Sequence, residues 1–72
     1  MVKVGDKFKE YLPSFVRGKD RFFSYELEVV GFKSESCGEF AECKETWENG
    51  RTDIVGIAIE LLDNEKIYKK IS

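Results

Sequence analysis

The sequence predicts an all-β fold: a small single-domain barrel of four to five antiparallel strands, with room for one short helical turn near residues 60–64. Asn49-Gly50 separates two segments of alternating polarity, and this dipeptide is the strongest short-range hairpin signal. Residues 22–33 alternate between apolar and polar side chains, as a half-buried strand does. Several short strands, one bend and a long first loop within 72 residues are typical of a small closed or nearly closed barrel.

The composition indicates one folded domain spanning residues 1–72. The chain is 42% hydrophobic and contains six Phe, three Tyr and one Trp. Because each aromatic side chain buries a large area, these residues offset the small number of positions available for a core. With this apolar content, a charged fraction of 36% does not predict disorder.

The N-terminal part of the chain predicts a short strand and a long loop. Residues 2–8 alternate apolar and polar side chains around Gly5-Asp6, so we expect a first strand with a kink. Residues 11–21 contain proline, glycine and aspartate and have no sustained period, which predicts a long irregular loop. Loops of this length without structure of their own are uncommon and often functional.

The strand predicted at residues 22–33 changes its pattern at Gly31. Apolar side chains occupy the odd positions from 23 to 29, but Val30 and Phe32 are apolar at even positions and Gly31 takes the former inward slot. A glycine at such a shift predicts a β-bulge or a sharp bend, as where a strand passes from one sheet to another. Residues 34–38 are polar and predict a turn. The side chains expected to face the core before the shift are Phe23, Tyr25, Leu27 and Val29.

Two registers compete for the hairpin around Asn49-Gly50. A plain two-residue turn would pair odd with even positions, which conflicts with a consistently buried face. A three-residue loop at residues 48–50, with Gly50 in the left-handed region as a G1 bulge, pairs odd with odd positions. We favour this register, although it opposes two acids, a pairing that is unfavourable. It predicts these pairs: Ala41 with Ile57, Cys43 with Val55, Glu45 with Asp53, and Trp47 with Arg51.

The C-terminal residues 58–71 are compatible with a helix or with a turn followed by a strand. As a helix, their apolar positions would spread over more than half of the wheel, which is poor amphipathicity. A turn at residues 63–66 and a lysine-guarded edge strand suit the sequence better. We therefore expect a strand here, preceded by the short helical turn.

Three segments resemble parts of the SH3-like small β-barrels. They are Val4-Gly5-Asp6-Lys7-Phe8, Tyr25-Glu26-Leu27-Glu28-Val29-Val30-Gly31-Phe32, and Leu61-Leu62. The resemblance spans most of the chain and implies a long first loop, a bent second strand and a one-turn helix before the final strand. It implies a fold and not an activity, because SH3-like barrels host unrelated functions. The aromatic residues with which signalling SH3 domains bind proline-rich peptides are not recognisable here.

The residue inventory argues against several chemistries. With no histidine and only Cys37 and Cys43, the chain lacks a Ser/His or Cys/His pair and the four ligands of a structural zinc site. We therefore predict no enzyme, no metal and no cofactor, and two reduced thiols that act as small apolar residues. The longest apolar run, residues 54–59, is too short to span a bilayer, and the N-terminus lacks a signal-peptide pattern. We expect a cytoplasmic protein without a membrane partner.

Charge is distributed unevenly along the chain. The net charge is −2, with residues 34–60 strongly negative and the segments on both sides of them net positive. The acids of the central segment recur every few residues and suit either a solubilising edge-strand surface or a face that docks on a basic partner. They are Glu35, Glu39, Glu42, Glu45 and Glu48.

The strongest candidate for a binding surface is the 11–21 loop together with the neighbouring hairpin tip. Tyrosine, tryptophan and arginine dominate protein–protein hot spots, and basic residues interleaved with aromatics also suit single-stranded nucleic acid. The alternative is that the aromatics only pin the loop to the barrel while the cations keep it soluble. The predicted partner-binding residues are Tyr11, Phe15, Arg17, Lys19, Arg21, Trp47 and Arg51.

The sequence therefore predicts a small non-enzymatic module that binds another protein, as a monomer or a weak homodimer. Its small size, absence of motifs and uneven charge resemble the accessory proteins of phages and mobile elements, which implies modulation of a host partner. The alternative prediction is a nucleic-acid-binding barrel that uses the basic loop with Lys7, Lys9 and Lys33. A purely structural or oligomer-forming subunit is a third prediction.

Overall fold

The two longest strands, β2 (Tyr25–Glu35) and β3 (Gly38–Trp47), form the centre of a five-stranded antiparallel sheet. The structure is a computed structural model that describes residues 2–13 and 18–72. The strand order is β4-β3-β2-β1-β5, and the prediction of an all-β fold with four to five antiparallel strands is confirmed. The remaining elements are β1 (Lys7–Glu10), β4 (Thr52–Ala58), α1 (Ile59–Leu62) and β5 (Tyr68–Lys70).

A β-bulge interrupts the pairing of β2 with β3, as the pattern shift at Gly31 predicts. Val29 pairs with Cys43, but the next pair is Gly31 with Glu42, so Val30 is the extra residue. Before the bulge, β2 also pairs with β1 on its other side, where Leu27 lies opposite Phe8. A bulge bends a strand and increases its twist. The long hairpin therefore extends beyond the part of β2 that β1 covers.

The β3–β4 hairpin adopts the predicted three-residue loop. Gly50 has a φ of 88°, its N–H donates to the Trp47 carbonyl at 2.9 Å, and the Trp47 N–H donates to the Arg51 carbonyl at 2.8 Å. These are the hydrogen bonds of a turn closed by a G1 bulge. The predicted register is confirmed in the pairs Ala41–Ile57, Cys43–Val55 and Glu45–Asp53.

The unfavourable Glu45–Asp53 pair is relieved by its neighbours. The Asp53 carboxylate lies 3.0 Å from the Arg51 guanidinium, and the Trp47 indole N–H donates to Glu45 at 2.6 Å. Each acid thus has its own donor, and both donors come from the hairpin tip itself. Charge-assisted hydrogen bonds of this kind are stronger than neutral ones.

The first strand begins later than the sequence predicts. Residues 2–6 form a turn in which Gly5 has a φ of 95°, and β1 starts only at Lys7. The Asp6 carboxylate accepts a hydrogen bond from the Lys3 N–H at 2.8 Å, and the Asp6 N–H donates to the Lys3 carbonyl at 3.1 Å. A side-chain hydrogen bond to a nearby backbone N–H competes with strand pairing, so the alternation of these residues does not reflect a strand.

The core is built from the inward rows of the sheet and from one side chain of the short helix. Leu27, Val29 and Cys43 are the largest fully buried side chains. Three of the four side chains predicted to face inward from β2 are in the core, and Phe23 is partly buried against it. The buried residues are Val2, Phe8, Tyr25, Leu27, Val29, Ala41, Cys43, Leu62 and Tyr68.

The two cysteines occupy different environments. The Cys43 side chain is fully buried in the core, and this burial raises the pKa of its thiol to about 11. Cys37 is exposed in the two-residue turn of the β2–β3 hairpin, and both thiols are free. Cys43 therefore behaves as the small apolar residue that the sequence predicts, whereas Cys37 contributes nothing to the core.

The C-terminal part of the chain forms the predicted helical turn and edge strand. The Asp63 N–H donates to the Ile59 carbonyl at 3.0 Å at the end of α1, and β5 then pairs with β1 through Glu10–Tyr68 and Phe8–Lys70. Within residues 2–13 and 18–72, no helix has both the length and the apolar character needed to cross a membrane.

We expect Gly50→Ala to lower the free energy of unfolding by about 1–2 kcal/mol, because a Cβ in the left-handed region clashes with the backbone. The matched control is Gly56→Ala on β4, where the backbone is not left-handed and an added Cβ meets no atom within 4 Å. Chemical denaturation of both variants measures the difference. Equal stability of the two variants would contradict the G1 bulge.

Candidate functional site

One end of the sheet brings the base of the 11–21 loop next to the β3–β4 hairpin tip. The loop is closed at its base, where Tyr11 pairs with Phe22 and the Leu12 N–H donates to the Arg21 carbonyl at 3.0 Å. The tip contacts the segment leading out of the loop, because the Glu48 N–H donates to the Ser24 carbonyl at 3.2 Å. The two segments predicted to contact a partner therefore adjoin.

Five aromatic rings lie at this end of the molecule, and we call them the aromatic row (Tyr11, Phe22, Phe23, Tyr25 and Trp47). They form two groups, a pair and a set of three, and the rings contact each other within each group. The ring centroids are 4.8 Å apart for Tyr11–Phe22, 5.8 Å for Phe23–Tyr25 and 4.8 Å for Tyr25–Trp47. These separations are within the range in which aromatic pairs attract each other. The row is preorganised, since its members are held by strands or by the closed base of the loop.

In each group of the aromatic row, one ring has a cation over its face. The Arg51 guanidinium carbon is 5.9 Å from the Trp47 ring centroid, and the Lys69 ammonium is 5.9 Å from the Phe22 centroid. Both distances allow a cation–π attraction. Arg51 is thus placed over the Trp47 indole at the hairpin tip.

The described members of the predicted partner-binding set are accessible to different degrees. Tyr11 and Trp47 are partly buried, whereas Lys19, Arg21 and Arg51 are exposed. The predicted residues Phe15 and Arg17 lie outside the described residues. The structure therefore brings the base of the loop and the hairpin tip together, and the two partly buried rings supply rigid apolar surface beside exposed cations.

Two glutamates point inward beside the aromatic row, and the sequence did not predict them as a pair. The Tyr25 hydroxyl donates to the Glu10 carboxylate, and the Trp47 indole donates to Glu45. Burial raises the pKa of Glu10, and the negative charge of Glu45 raises it further. The sequence signal was their parity: Glu10 is two residues after buried Phe8, and Glu45 is two residues after buried Cys43.

Tyr68 completes this group from the β5 side. It lies opposite Glu10 in the β1–β5 pairing, and burial, followed by the charge of Glu10, raises the pKa of its hydroxyl to about 12. The hydroxyl is therefore neutral at ordinary pH and can donate a hydrogen bond. Within the described residues, no group of three or more His, Cys, Asp or Glu side chains is arranged to hold a metal ion.

Two clefts adjoin the aromatic row. One has a volume of about 490 Å³ and is lined by Tyr11, Tyr68 and Lys69, among others. The second has a volume of about 280 Å³, and Tyr25 and Trp47 are among its lining residues. Clefts beside rigid aromatic side chains can accept protruding side chains of a partner.

The acids of the central segment do not form one surface. Glu35 and Glu39 lie at the far end of the β2–β3 hairpin, where Lys33 is 3.9 Å from Glu35. Glu42 is exposed, whereas Glu45 is partly buried on the inward side. These strands therefore present no single acidic docking face, because the acids lie at different ends and on different sides of the sheet.

The chain matches no protein-family model, and no curated protein or solved structure is significantly similar to it.

The raised pKa of Glu10 predicts a pH dependence of stability. A carboxyl group with a raised folded-state pKa stabilises the fold below its unfolded pKa, and this stabilisation is lost as pH rises through the folded pKa. We expect Glu10→Gln to remove this loss, so that the free energy of unfolding declines less with rising pH than in the wild type. Denaturation across a pH series measures the slope.

A second variant separates the two causes of the Glu10 shift. Glu45→Gln keeps an acceptor for the Trp47 indole but removes the negative charge, so it should lower the pKa of Glu10 towards its usual value. An NMR titration of the Glu10 carboxyl carbon measures this pKa directly. An unchanged slope in Glu10→Gln would contradict the burial of this carboxyl group.

Proposed function

We propose that this protein is a small non-enzymatic module that binds another protein through the aromatic row and the exposed cations around it. The observation that supports it best is the backbone contact of the hairpin tip with the segment leading out of the loop, which brings the loop base with Tyr11 and the tip with Trp47 and Arg51 to one end of the sheet. Interfaces take most of their binding energy from a few buried aromatic and arginine anchors.

The arrangement of strands supports an SH3-like barrel as the scaffold of this module. The bulged second strand and the helical turn α1 before the last strand are features that the resemblance implies. A scaffold of this kind presents its loops on rigid strands, which keeps the cost of ordering the binding surface low. The resemblance to phage accessory proteins favours a host protein as the partner.

The electrostatics favour a partner that contributes both apolar and charged groups. Arg21 and Lys19 are exposed beside the loop base, and the carboxylates of Glu10 and Glu45 lie behind the rings. Groups of both charges at this end of the sheet suit a mixed interface, in which charge sets orientation and the rings supply affinity. We propose that Arg21 and Arg51 contact acidic groups of the partner at its rim.

A charge-reversal experiment tests the proposed surface. Tagged Arg21→Glu/Arg51→Glu should retain the partner at least about tenfold more weakly than the wild type, since each arginine anchor contributes on the order of 1 kcal/mol or more. The partner is identified by affinity capture from the source cells and mass spectrometry. Its affinity is then measured with purified proteins by calorimetry.

The control carries the same change of charge at the opposite end of the molecule. Lys3→Glu/Lys33→Glu alters exposed residues in the N-terminal turn and the β2–β3 hairpin, and it should bind as the wild type does. Circular dichroism verifies that both variants fold. Equal losses in the two variants would refute the assignment to this surface.

A second candidate function, the binding of single-stranded nucleic acid, has one specific observation in its favour. Lys9 lies directly opposite Lys69 in the β1–β5 pairing, and like charges in that position repel each other. Bound phosphate would relieve this repulsion, and Phe22 beneath Lys69 offers a ring for base stacking. Lys33, which the sequence groups with these lysines, lies instead in the β2–β3 hairpin next to Glu35.

Fluorescence anisotropy with a labelled single-stranded oligonucleotide tests this second function. If it is correct, binding is detectable at about 50 mM salt and weakens at least tenfold by about 200 mM, because phosphate contacts release counterions. Lys9→Glu/Lys69→Glu should abolish binding, whereas Lys3→Glu/Lys33→Glu should reduce it much less. Absence of binding at low salt would refute this candidate.

A further inference from the structure

The two edges of the sheet are protected very differently. Edge strands expose unpaired backbone groups that can recruit another strand, and short length or lysine side chains normally prevent this. β5 has three residues and contains Lys69 and Lys70. β4 has seven residues, TDIVGIA, and contains neither lysine, arginine nor proline. β5 is therefore the better protected edge, since the only charged residue of β4 is Asp53 near its start.

The open side of β4 has a defined set of backbone donors and acceptors. Trp47 and Arg51 form a hydrogen-bonded pair at the hairpin tip. Because such pairs alternate along an antiparallel ladder, the odd residues of β4 bond to β3 and the even residues direct their N–H and C=O groups outward. Within the described residues, no other strand pairs with this edge. The groups available are those of Thr52, Ile54, Gly56 and Ala58.

Two of these residues have complementary shapes. The Ile54 side chain is 61% exposed, and Gly56, two residues further on the same outward face, has open space where a Cβ would lie. A glycine in a strand leaves bare backbone that a side chain from the neighbouring strand can cover. A second β4 with its two-fold axis at Val55 would place Ile54 of each copy opposite Gly56 of the other.

We propose that β4 is a homodimerisation edge, at which two copies of this chain pair their β4 strands antiparallel around a two-fold axis at Val55. The two sheets then become continuous, and the even residues form the hydrogen-bonded pairs. The contact is isologous, so it closes as a dimer and leaves no free β4 edge for a filament. This surface is distinct from the aromatic row, so the proposal does not depend on the proposed function.

Charge distinguishes this register from the nearest alternative. On the outward face Gly56 lies beside Glu42, and Ile54 lies beside Lys44. With the axis at Val55, each row across the dimer runs from Glu42 of one copy to Lys44 of the other. An axis at Ile54 would instead place Lys44 at both ends of one row, which is less favourable. An axis at Asp53 would oppose two aspartates, whereas the axis at Val55 pairs Asp53 with Ile57.

The strand that pairs with β4 is the β4 of a second copy and not its β5, for a geometric reason. Pairing β4 with β5 of another copy would use only three of the seven residues and would bring Lys69 and Lys70 into the contact. Pairing β4 with the β4 of a second copy uses the whole strand. It also places the Ile54 side chain of each copy beside the open space at Gly56 of the other. Two β-branched residues, the Val55 of each copy, then meet at the axis, where such pairs are favourable.

Sedimentation velocity of the full chain tests the proposal. The dimer fraction should rise with protein concentration between about 10 μM and 1 mM, as expected for a weak contact. Ile54→Lys should raise the dimer dissociation constant about tenfold, because both symmetric contacts lose their apolar partner and gain a charge. The control is Val4→Lys, since Val4 is equally 61% exposed but lies outside the strands, and it should leave the constant unchanged.

A rescue variant tests the register. In Ile54→Lys/Gly56→Glu, the proposed pairing opposes the new lysine of each copy to the new glutamate of the other, so the dissociation constant should return towards the wild-type value. Circular dichroism verifies the fold of every variant. A protein that is monomeric at every concentration, equal effects of Ile54→Lys and Val4→Lys, or a double variant no better than Ile54→Lys would each overturn the proposal.

Discussion

The pairing of β2 with β3 is the constraint on which the rest of this structure depends. It is the longest ladder of the sheet, and it holds Leu27, Val29 and Cys43, the three largest fully buried side chains. All other strands are added to one side or the other of this hairpin. The bulge at Val30 bends β2, β1 pairs only with the part of β2 before the bulge, and β5 pairs with the other side of β1. The base of the first loop and the β3–β4 hairpin tip meet at the end where β2 begins and β3 finishes.

Glu10 and Glu45 are partly buried at this end of the sheet, and burial disfavours the charged form of a carboxyl group. Each carboxylate receives a hydrogen bond from an aromatic side chain, Tyr25 for Glu10 and Trp47 for Glu45. Because both carboxylates are partly buried, each needs a donor, and the same hydrogen bonds help to fix the orientation of the two rings. The aromatic row is thus kept rigid by polar contacts behind it, and rigid rings lose little entropy when they bind.

The fold places the basic segments of the chain on one side of the sheet and the acidic segment on the other. The basic segments at the two ends of the sequence meet, because β1 and β5 pair and bring Lys9 next to Lys69. The acidic middle of the chain forms β3 and β4 on the other side of β2. The two edges therefore differ in charge as well as in length. This difference leaves β5 protected and β4 open.

The sequence by itself determined the elements and their local geometry. The turn chemistry of Asn49-Gly50 set the β3–β4 register, and the parity shift at Gly31 marked the bulge, because both depend on backbone preferences of neighbouring residues. Local pattern failed at residues 2–6, where the Asp6 carboxylate bonds to the Lys3 backbone and a turn replaces the expected strand.

Only the tertiary structure decided which residues come together at the candidate site. The loop base with Tyr11 and Phe22 adjoins the hairpin tip with Trp47, and the charge of Glu45 on β3 acts on the carboxyl group of Glu10 on β1. The open edge of β4 also depends on the tertiary structure, since the arrangement of the other strands decides which strand lies at an edge. Periodicity and turn residues report on neighbours along the chain, whereas these contacts join residues far apart in sequence. Their energies appear only when the sheet is assembled.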